Sequence, residues 1–211
     1  MMPEQTAAGR VRRELSERDL DSLVDQGYLI IEDAVPCSFV AALRAHSMSL
    51  RAGEMFRRAG IGRGTEHLVQ ASIRSDMVHW WDPGAINELQ EEFLGLVSDL
   101  REQLNRHLFM GLWDEELHYT IYGPGAFYDK HLDQFRGNNR RRISLILYLN
   151  DQWCDADGGQ LRIFDEGGEG YRDILPTAGV MVLFFSDRIL HQVLPANRDR
   201  FSLTGWLRAR P

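Results

Sequence analysis

His118-Tyr-Thr-Ile-Tyr-Gly-Pro-Gly-Ala-Phe-Tyr-Asp-Lys-His-Leu-Asp133 is where the chain changes period. Upstream, Ile86, Leu89, Phe93, Leu96, Val97, Leu100, Leu104 and Leu108 recur at steps of three and four, the apolar stripe of one long helix. Asp82-Pro83-Gly84 punctuates its start. From His118 onward the period is two, the spacing of strands. Residues 118–122, 127–132, 143–149, 161–164, 180–185, 191–194 and 201–207 all read as strands. Gly123-Pro-Gly125, Gly137-Asn-Asn139, Asp157-Gly-Gly159, Gly167-Gly168 and Pro195-Ala-Asn197 separate them as turns. Many short strands at this spacing predict an α+β, mainly β fold: a jelly-roll (double-stranded β-helix) core with N-terminal supporting helices.

The N-terminal part is helical. Ser16 is a predicted N-cap with Glu17 and Asp19 in the first turn, Leu20, Leu23 and Val24 form the stripe, and Gly27 stops the helix. Residues 28–31 read as a short strand. A second helix is expected over 38–51 with Phe39, Leu43 and Leu50 inward. Residues 52–71 carry Gly53, Gly60, Gly62 and Gly64 with Arg57, Arg58 and Arg63, and too little of this segment is periodic to form an ordered core element. It reads as a mobile surface loop or as a lid over an active site.

Composition narrows the function classes. The chain has 211 residues, which suits one domain over 1–211. An apolar share of 44% and a charged share of 26% are globular values, so bulk disorder is not expected. The longest apolar run, 180–185, is far short of the ~20 residues of a membrane span, and residues 1–10 carry no apolar h-region. Two cysteines, Cys37 and Cys154, make neither a disulfide framework nor a metal spacing, which points to a reducing, cytoplasmic setting. The net charge of −7 argues against a nucleic-acid partner. Lys130 is the sole lysine among 24 basic residues, a bias that carries no mechanism.

The chemistry lies at strand ends. His131 and Asp133 stand two apart, so in a strand they share a face and both reach one metal. With seven histidines in the chain, one such pair is also within chance. His191 opens a strand after the turn-rich Ser186-Asp187-Arg188. Two histidines and one carboxylate form the facial triad of non-haem Fe(II) oxygenases and leave three coordination positions open; the same ligand types suit Zn(II). In 200–206, Arg200, Ser202, Thr204 and Trp206 share one face and Phe201 and Leu203 the other. Periodicity favours a half-exposed strand with its polar face in water. The alternative turns Arg200 inward to a carboxylate, which its guanidinium fork matches in two hydrogen bonds. Tyr148 shares a face with Ser144 and Ile146, as packing or as a second donor to that carboxylate. Tyr122 and Tyr128 flank the Gly-Pro-Gly turn as rim packing or site lining. Arg140-Arg141-Arg142 reads as a solvated loop or as the holder of an acidic group such as Asp76.

Taken together, these segments resemble the 2-oxoglutarate- and Fe(II)-dependent oxygenases of the prolyl 4-hydroxylase group, in particular the hypoxia-inducible-factor prolyl hydroxylases and their bacterial relatives. The likeness runs in order through 122–133, Leu147-Tyr-Leu-Asn150, Gly158-Gly-Gln-Leu-Arg-Ile-Phe164, 183–188, 191–196 and 200–206, and covers roughly 73–207. The turn before His131 is shorter than in the animal enzymes. The resemblance implies that His131, Asp133 and His191 bind iron. It implies that Arg200 pairs with the distal carboxylate of 2-oxoglutarate, with Tyr148 donating beside it, Thr204 nearby and Tyr122 on the cosubstrate side. Arg74, Tyr128, Arg141 and Trp206 would line the substrate mouth, and 52–71 would be the finger that closes on a peptide, so that about 1–110 supports an iron-bearing core over about 115–208. Fe(II), 2-oxoglutarate and dioxygen are the implied cofactors, with ascorbate or another reductant as helper. The implied reaction is C4 hydroxylation of a prolyl residue in a protein, with elongation factor Tu as the leading substrate. Two alternatives stay open: the same chemistry on a non-prolyl substrate, or a non-catalytic module that binds metal or 2-oxoglutarate.

Overall fold

In the computed structural model, which describes residues 14–60, 72–134, 139–167 and 169–210, two antiparallel sheets lie face to face and helices cover the outer face of the larger one. Helix α1 (Glu17–Gln26) starts at Ser16, whose hydroxyl accepts from Asp19 N–H while the Asp19 carboxylate accepts from Ser16 N–H, and it ends at Gly27 with φ of 80°. Val24 of the predicted stripe is 47% exposed, so the buried face is narrower than its spacing predicts. Strand β1 (Tyr28–Ile31) and helix α2 (Cys37–Ala52) follow. Helix α3 (Glu88–Leu108) is capped by Asn87 with Gln90, downstream of the Asp82-Pro83-Gly84 break.

The remaining strands are β2 (Arg57–Arg58), β3 (Met77–Trp80), β4 (Leu112–Tyr122), β5 (Tyr128–His131), β6 (Arg141–Tyr148), β7 (Leu161–Phe164), β8 (Tyr171–Ile174), β9 (Met181–Phe185), β10 (His191–Val193) and β11 (Arg200–Ala209). The larger sheet runs β1-β9-β6-β11-β4-β3-β2 and the smaller β5-β10-β7-β8. Strands β2, β3 and β8 were not anticipated. All are short, and β8 shows three exposed residues before Ile174, so no alternation marks it. Strand β2 also corrects the reading of 52–71. Phe56 and Ala59 are buried on either side of it and it pairs with β3, so the start of that segment is an ordered sheet edge. Residues 61–71, the rest of the expected finger, lie outside the described residues.

Register explains where the core sits. On one face of β11, Phe201, Leu203 and Leu207 join Leu23, Leu43, Phe93, Leu96, Leu100 and Leu104 in the core under the helices. Each of these large apolar side chains contributes about 1.5–3 kcal/mol on burial. The other face of β11 looks into the space between the sheets. Arg200 and Ser202 are only 1% exposed, so the half-exposed reading of this strand does not hold. Pairing aligns cross-strand rows on that inner face: Arg57, Val78, Thr120, Ser202 and Tyr148 form one, and Trp80, His118, Thr204, Ile146 and Val182 the next. No helix among the described residues is long and apolar enough to cross a membrane.

Candidate functional site

Strands β5 and β10 pair with His131 opposite His191, and Asp133 follows two residues after β5 ends. One ligand atom from each of the three residues lies within 4.8 Å of the others. His131 Nε2 is 3.5 Å from Asp133 Oδ1, and His191 Nε2 is 3.9 Å from Asp133 Oδ2. The far ring nitrogens are both engaged: His131 Nδ1 lies 2.6 Å from the Asp129 carbonyl and His191 Nδ1 3.0 Å from the Ile189 carbonyl. A carbonyl can only accept, which assigns the proton to Nδ1 and leaves both Nε2 lone pairs facing the carboxylate. Burial pushes the His191 imidazole down to about 4, with the neighbouring His131 adding to it. Burial alone would raise Asp133, but His191, His131 and the Ser144 hydroxyl outweigh it and hold the carboxyl well below the usual range. Two imidazole Nε2 atoms and a carboxylate, gathered this closely, are a donor set that a divalent cation binds.

Arg200 lies where β11 begins, opposite Tyr122 of β4. Its Nε donates to the Gly159 carbonyl at 2.7 Å, and its guanidinium carbon is 5.0 Å from the ring centres of both Tyr122 and Tyr148. Among the described residues, its buried Nη2 meets no hydrogen-bond partner, and neither does the buried Tyr148 hydroxyl. Burial pushes the Tyr148 phenol up to about 12, so it remains a donor. An unpaired buried guanidinium is costly. Two such donors side by side, Arg200 lining a cavity, fit a carboxylate supplied from outside the chain.

Toward the mouth, the Tyr128 ring stacks on His131 with centroids 3.5 Å apart, and Arg74 lies 4.2 Å above Tyr128. Arg74 is held by Asp76 through contacts of 2.8 and 2.6 Å. Arg141 lies 3.4 Å from the Trp206 ring centre and donates to Glu116 at 2.7 Å. Asp76 is therefore held by Arg74 rather than by the 140–142 run. His118 stacks on Trp206 and meets Trp80 at a tilt, and burial, with Arg74 and Arg141 nearby, pushes its imidazole down to about 3.

The sequence profile of the 2OG-Fe(II) oxygenase superfamily matches residues 117–208. A Pseudomonas putida prolyl-4-hydroxylase structure is 40% identical, with a TM-score of 0.82 over 92% of this chain and 98% of that one. The chain belongs to the 2OG-Fe(II) oxygenase superfamily. Within it, the chain falls in the prolyl hydroxylase group. Egl nine homolog 1 of Mus musculus is 33% identical over 146 residues, 64% of this chain and 35% of that protein. Hypoxia-inducible factor prolyl hydroxylase of Caenorhabditis elegans is 34% identical over 143 residues, 64% of this chain and 20% of that protein. The chain thus spans about a third or less of the length of these two curated relatives.

One cavity of about 720 Å³ brings together ten of the eleven candidate residues, from Arg200 and Tyr122 at depth, past the His131, Asp133 and His191 cluster and Thr204, to Arg74, Tyr128, Arg141 and Trp206 outward. Tyr148 is the exception, fully buried beside Arg200. Sequence reasoning did not assign roles to Ser144, Ser186, His118, Trp80 or Glu116. Ser144 had one signal, its shared face with Tyr148; the others needed the sheet pairing.

Proposed function

We propose that this protein is an Fe(II)- and 2-oxoglutarate-dependent dioxygenase that hydroxylates a prolyl residue of a protein at C4. The observation that carries this is the pairing, in one cavity, of a two-histidine, one-carboxylate cluster with a buried guanidinium that meets no carboxylate among the described residues. His131, Asp133 and His191 would hold the iron and leave three positions for cosubstrates. When bound, the iron supplies dioxygen activation coupled to conversion of 2-oxoglutarate to succinate and carbon dioxide. The chain's own residues bind, orient and exclude water. Arg200 takes the distal carboxylate of 2-oxoglutarate, the Tyr148 hydroxyl donates beside it, Tyr122 closes that side, and Thr204 offers a hydroxyl on the facing row. Arg74, Tyr128, Arg141 and Trp206 form the wall against which the target proline rests. Prolyl specificity is supported by the relatives, one of which is named as a hypoxia-inducible factor prolyl hydroxylase and another as a bacterial prolyl-4-hydroxylase.

Elongation factor Tu is the proposed substrate, on resemblance to bacterial enzymes of similar length, and the cytoplasm the proposed compartment, on the absence of a disulfide framework in the two-cysteine sequence. The test is mass spectrometry of elongation factor Tu from the same source after aerobic incubation with the protein, Fe(II), 2-oxoglutarate and ascorbate. Gain of one oxygen on a proline, lost with His131→Ala and Arg200→Met, is the expected result. Succinate release without that gain rejects the substrate and keeps the oxygenase. Binding of 2-oxoglutarate with neither succinate nor oxygen gain rejects the enzyme reading in favour of a binding module.

A further inference from the structure

The chain is acidic overall, yet the rim of the cavity is not. Arg57, Arg58, Arg74, Arg140, Arg141 and Arg208 all line it. Four of these have carboxylate partners within the chain: Arg74 with Asp76, Arg140 with Asp114, Arg141 with Glu116, and Arg208 with Asp114 and Glu116. Arg57 and Arg58 differ. Arg57 donates to the backbone carbonyls of Glu54 at 2.7 Å and Phe56 at 3.1 Å, and among the described residues neither arginine has an ion pair with a carboxylate. Both are exposed and both sit on β2, the edge of the seven-stranded sheet among the described residues. Arg57 is in register with Val78, Thr120 and Ser202, so it stands at the outer end of a row that runs across the cavity wall. Trp80 and Leu132, 47% and 42% exposed, add apolar surface to the same mouth.

We infer that the mouth selects an extended protein segment carrying carboxylate side chains beside the target residue, with Arg57, which belongs to the inner-face row, as the selecting cation and Arg58, on the alternate face of the same strand, adding charge at the rim. The inference rests on the proposed oxygenase reading for what happens to the segment, but not for its binding. An edge strand suits an extended backbone laid alongside it, and exposed guanidiniums with no carboxylate partner among the described residues favour anionic side chains through fork geometry and steering. A nucleic acid fits less well, because Glu116 lines the mouth and, with Asp114, neutralises Arg140, Arg141 and Arg208, leaving no continuous basic track for a phosphate backbone.

The experiment measures peptide binding by fluorescence anisotropy, under argon with Fe(II) and 2-oxoglutarate present. The probes are a synthetic peptide with a central proline flanked by Asp and Glu, its Asn/Gln counterpart, its Lys counterpart and a single-stranded oligothymidylate. The expected result is about fivefold or greater preference for the acidic peptide at low salt, shrinking at high salt. Arg57→Gln with Arg58→Gln should remove most of that preference, and Arg57→Glu with Arg58→Glu should turn it toward the Lys peptide. Equal affinity for the acidic and amide peptides, a preference untouched in both double variants, or tighter binding of the oligonucleotide would overturn the proposal. Admitting air separates the two readings. Equal oxygen transfer to acidic and amide peptides keeps the oxygenase and overturns this inference. A charge preference in binding with no oxygen transfer to any peptide supports the inference and counts against the oxygenase.

Discussion

The Ser144 hydroxyl, fully buried on β6, donates to Asp133 Oδ2 at 2.6 Å and lies 2.9 Å from the Ser186 hydroxyl. The cluster carboxylate is thereby held from behind by a group on the opposite sheet, while its two oxygens face the histidines. A charge-assisted bond of this kind is worth about 1.5–3 kcal/mol and sets the orientation of the ligand. Ser144→Ala should weaken Fe(II) binding about 10–100-fold without loss of fold. Calorimetric titration with Mn(II) as an oxygen-stable stand-in reads this directly, and an unchanged affinity would remove Ser144 from the positioning of Asp133.

Arg200 presents a buried cation with an orphaned Nη2. Replacing it with Met removes the donor fork but keeps an apolar side chain of similar length. The 2-oxoglutarate concentration needed for half-maximal succinate release should rise at least about tenfold, since a charged bidentate pair is lost. The rise in Tm that saturating 2-oxoglutarate gives the parent protein should disappear. The ligand-free variant should be at least as stable as the parent, because it no longer buries an unpaired charge. An identical 2-oxoglutarate titration in the two proteins would refute the assignment.

Gly159 accepts the Arg200 Nε–H and sits at φ of 67°, with the position of an added Cβ 2.9 Å from Arg200 Cδ. Gly159→Ala therefore strains the backbone by about 1–3 kcal/mol and pushes on the guanidinium stem. The expected outcome is a lower Tm together with a raised 2-oxoglutarate requirement. A change in Tm alone would separate the turn from Arg200.

Two buried imidazoles make the fold acid-sensitive. Burial depresses His118 to about 3 and His191 to about 4, both from the ordinary value of 6.5. Between those values and 6.5 the unfolded chain binds more protons than the folded one, so stability is full above about 6.5 and falls as the pH drops toward 4. Each such histidine contributes a slope of about 1.4 kcal/mol per pH unit in that window. Urea unfolding at pH 7, 6 and 5 should show this loss, and His118→Met should flatten it by about one histidine's share. An equal slope in the variant would mean that His118 titrates normally.

Much of the local architecture follows from the sequence because it depends on neighbours along the chain. Ser16 with Asp19, the left-handed Gly27, the α3 stripe and the i, i+2 relation of His131 to Asp133 involve residues within a few positions of one another. The resemblance to prolyl hydroxylases likewise needed only ordered motifs. Periodicity divides β11 into two faces but does not say which one meets water. That depends on the second sheet, which closes over Arg200 and Ser202 and turns a polar strand face into the wall of a cavity. The pairing of His131 with His191, the Ser144 buttress under Asp133, the Arg74–Asp76 clamp and the placing of Arg57 at the sheet edge, with no carboxylate partner among the described residues, are also products of tertiary structure. Apart from the Arg74–Asp76 clamp, which still needs β3 and β5 to set it over Tyr128, each joins segments distant in sequence or depends on where other carboxylates fall. Strand register and sheet closure decide such relationships, and neither is encoded in local spacing.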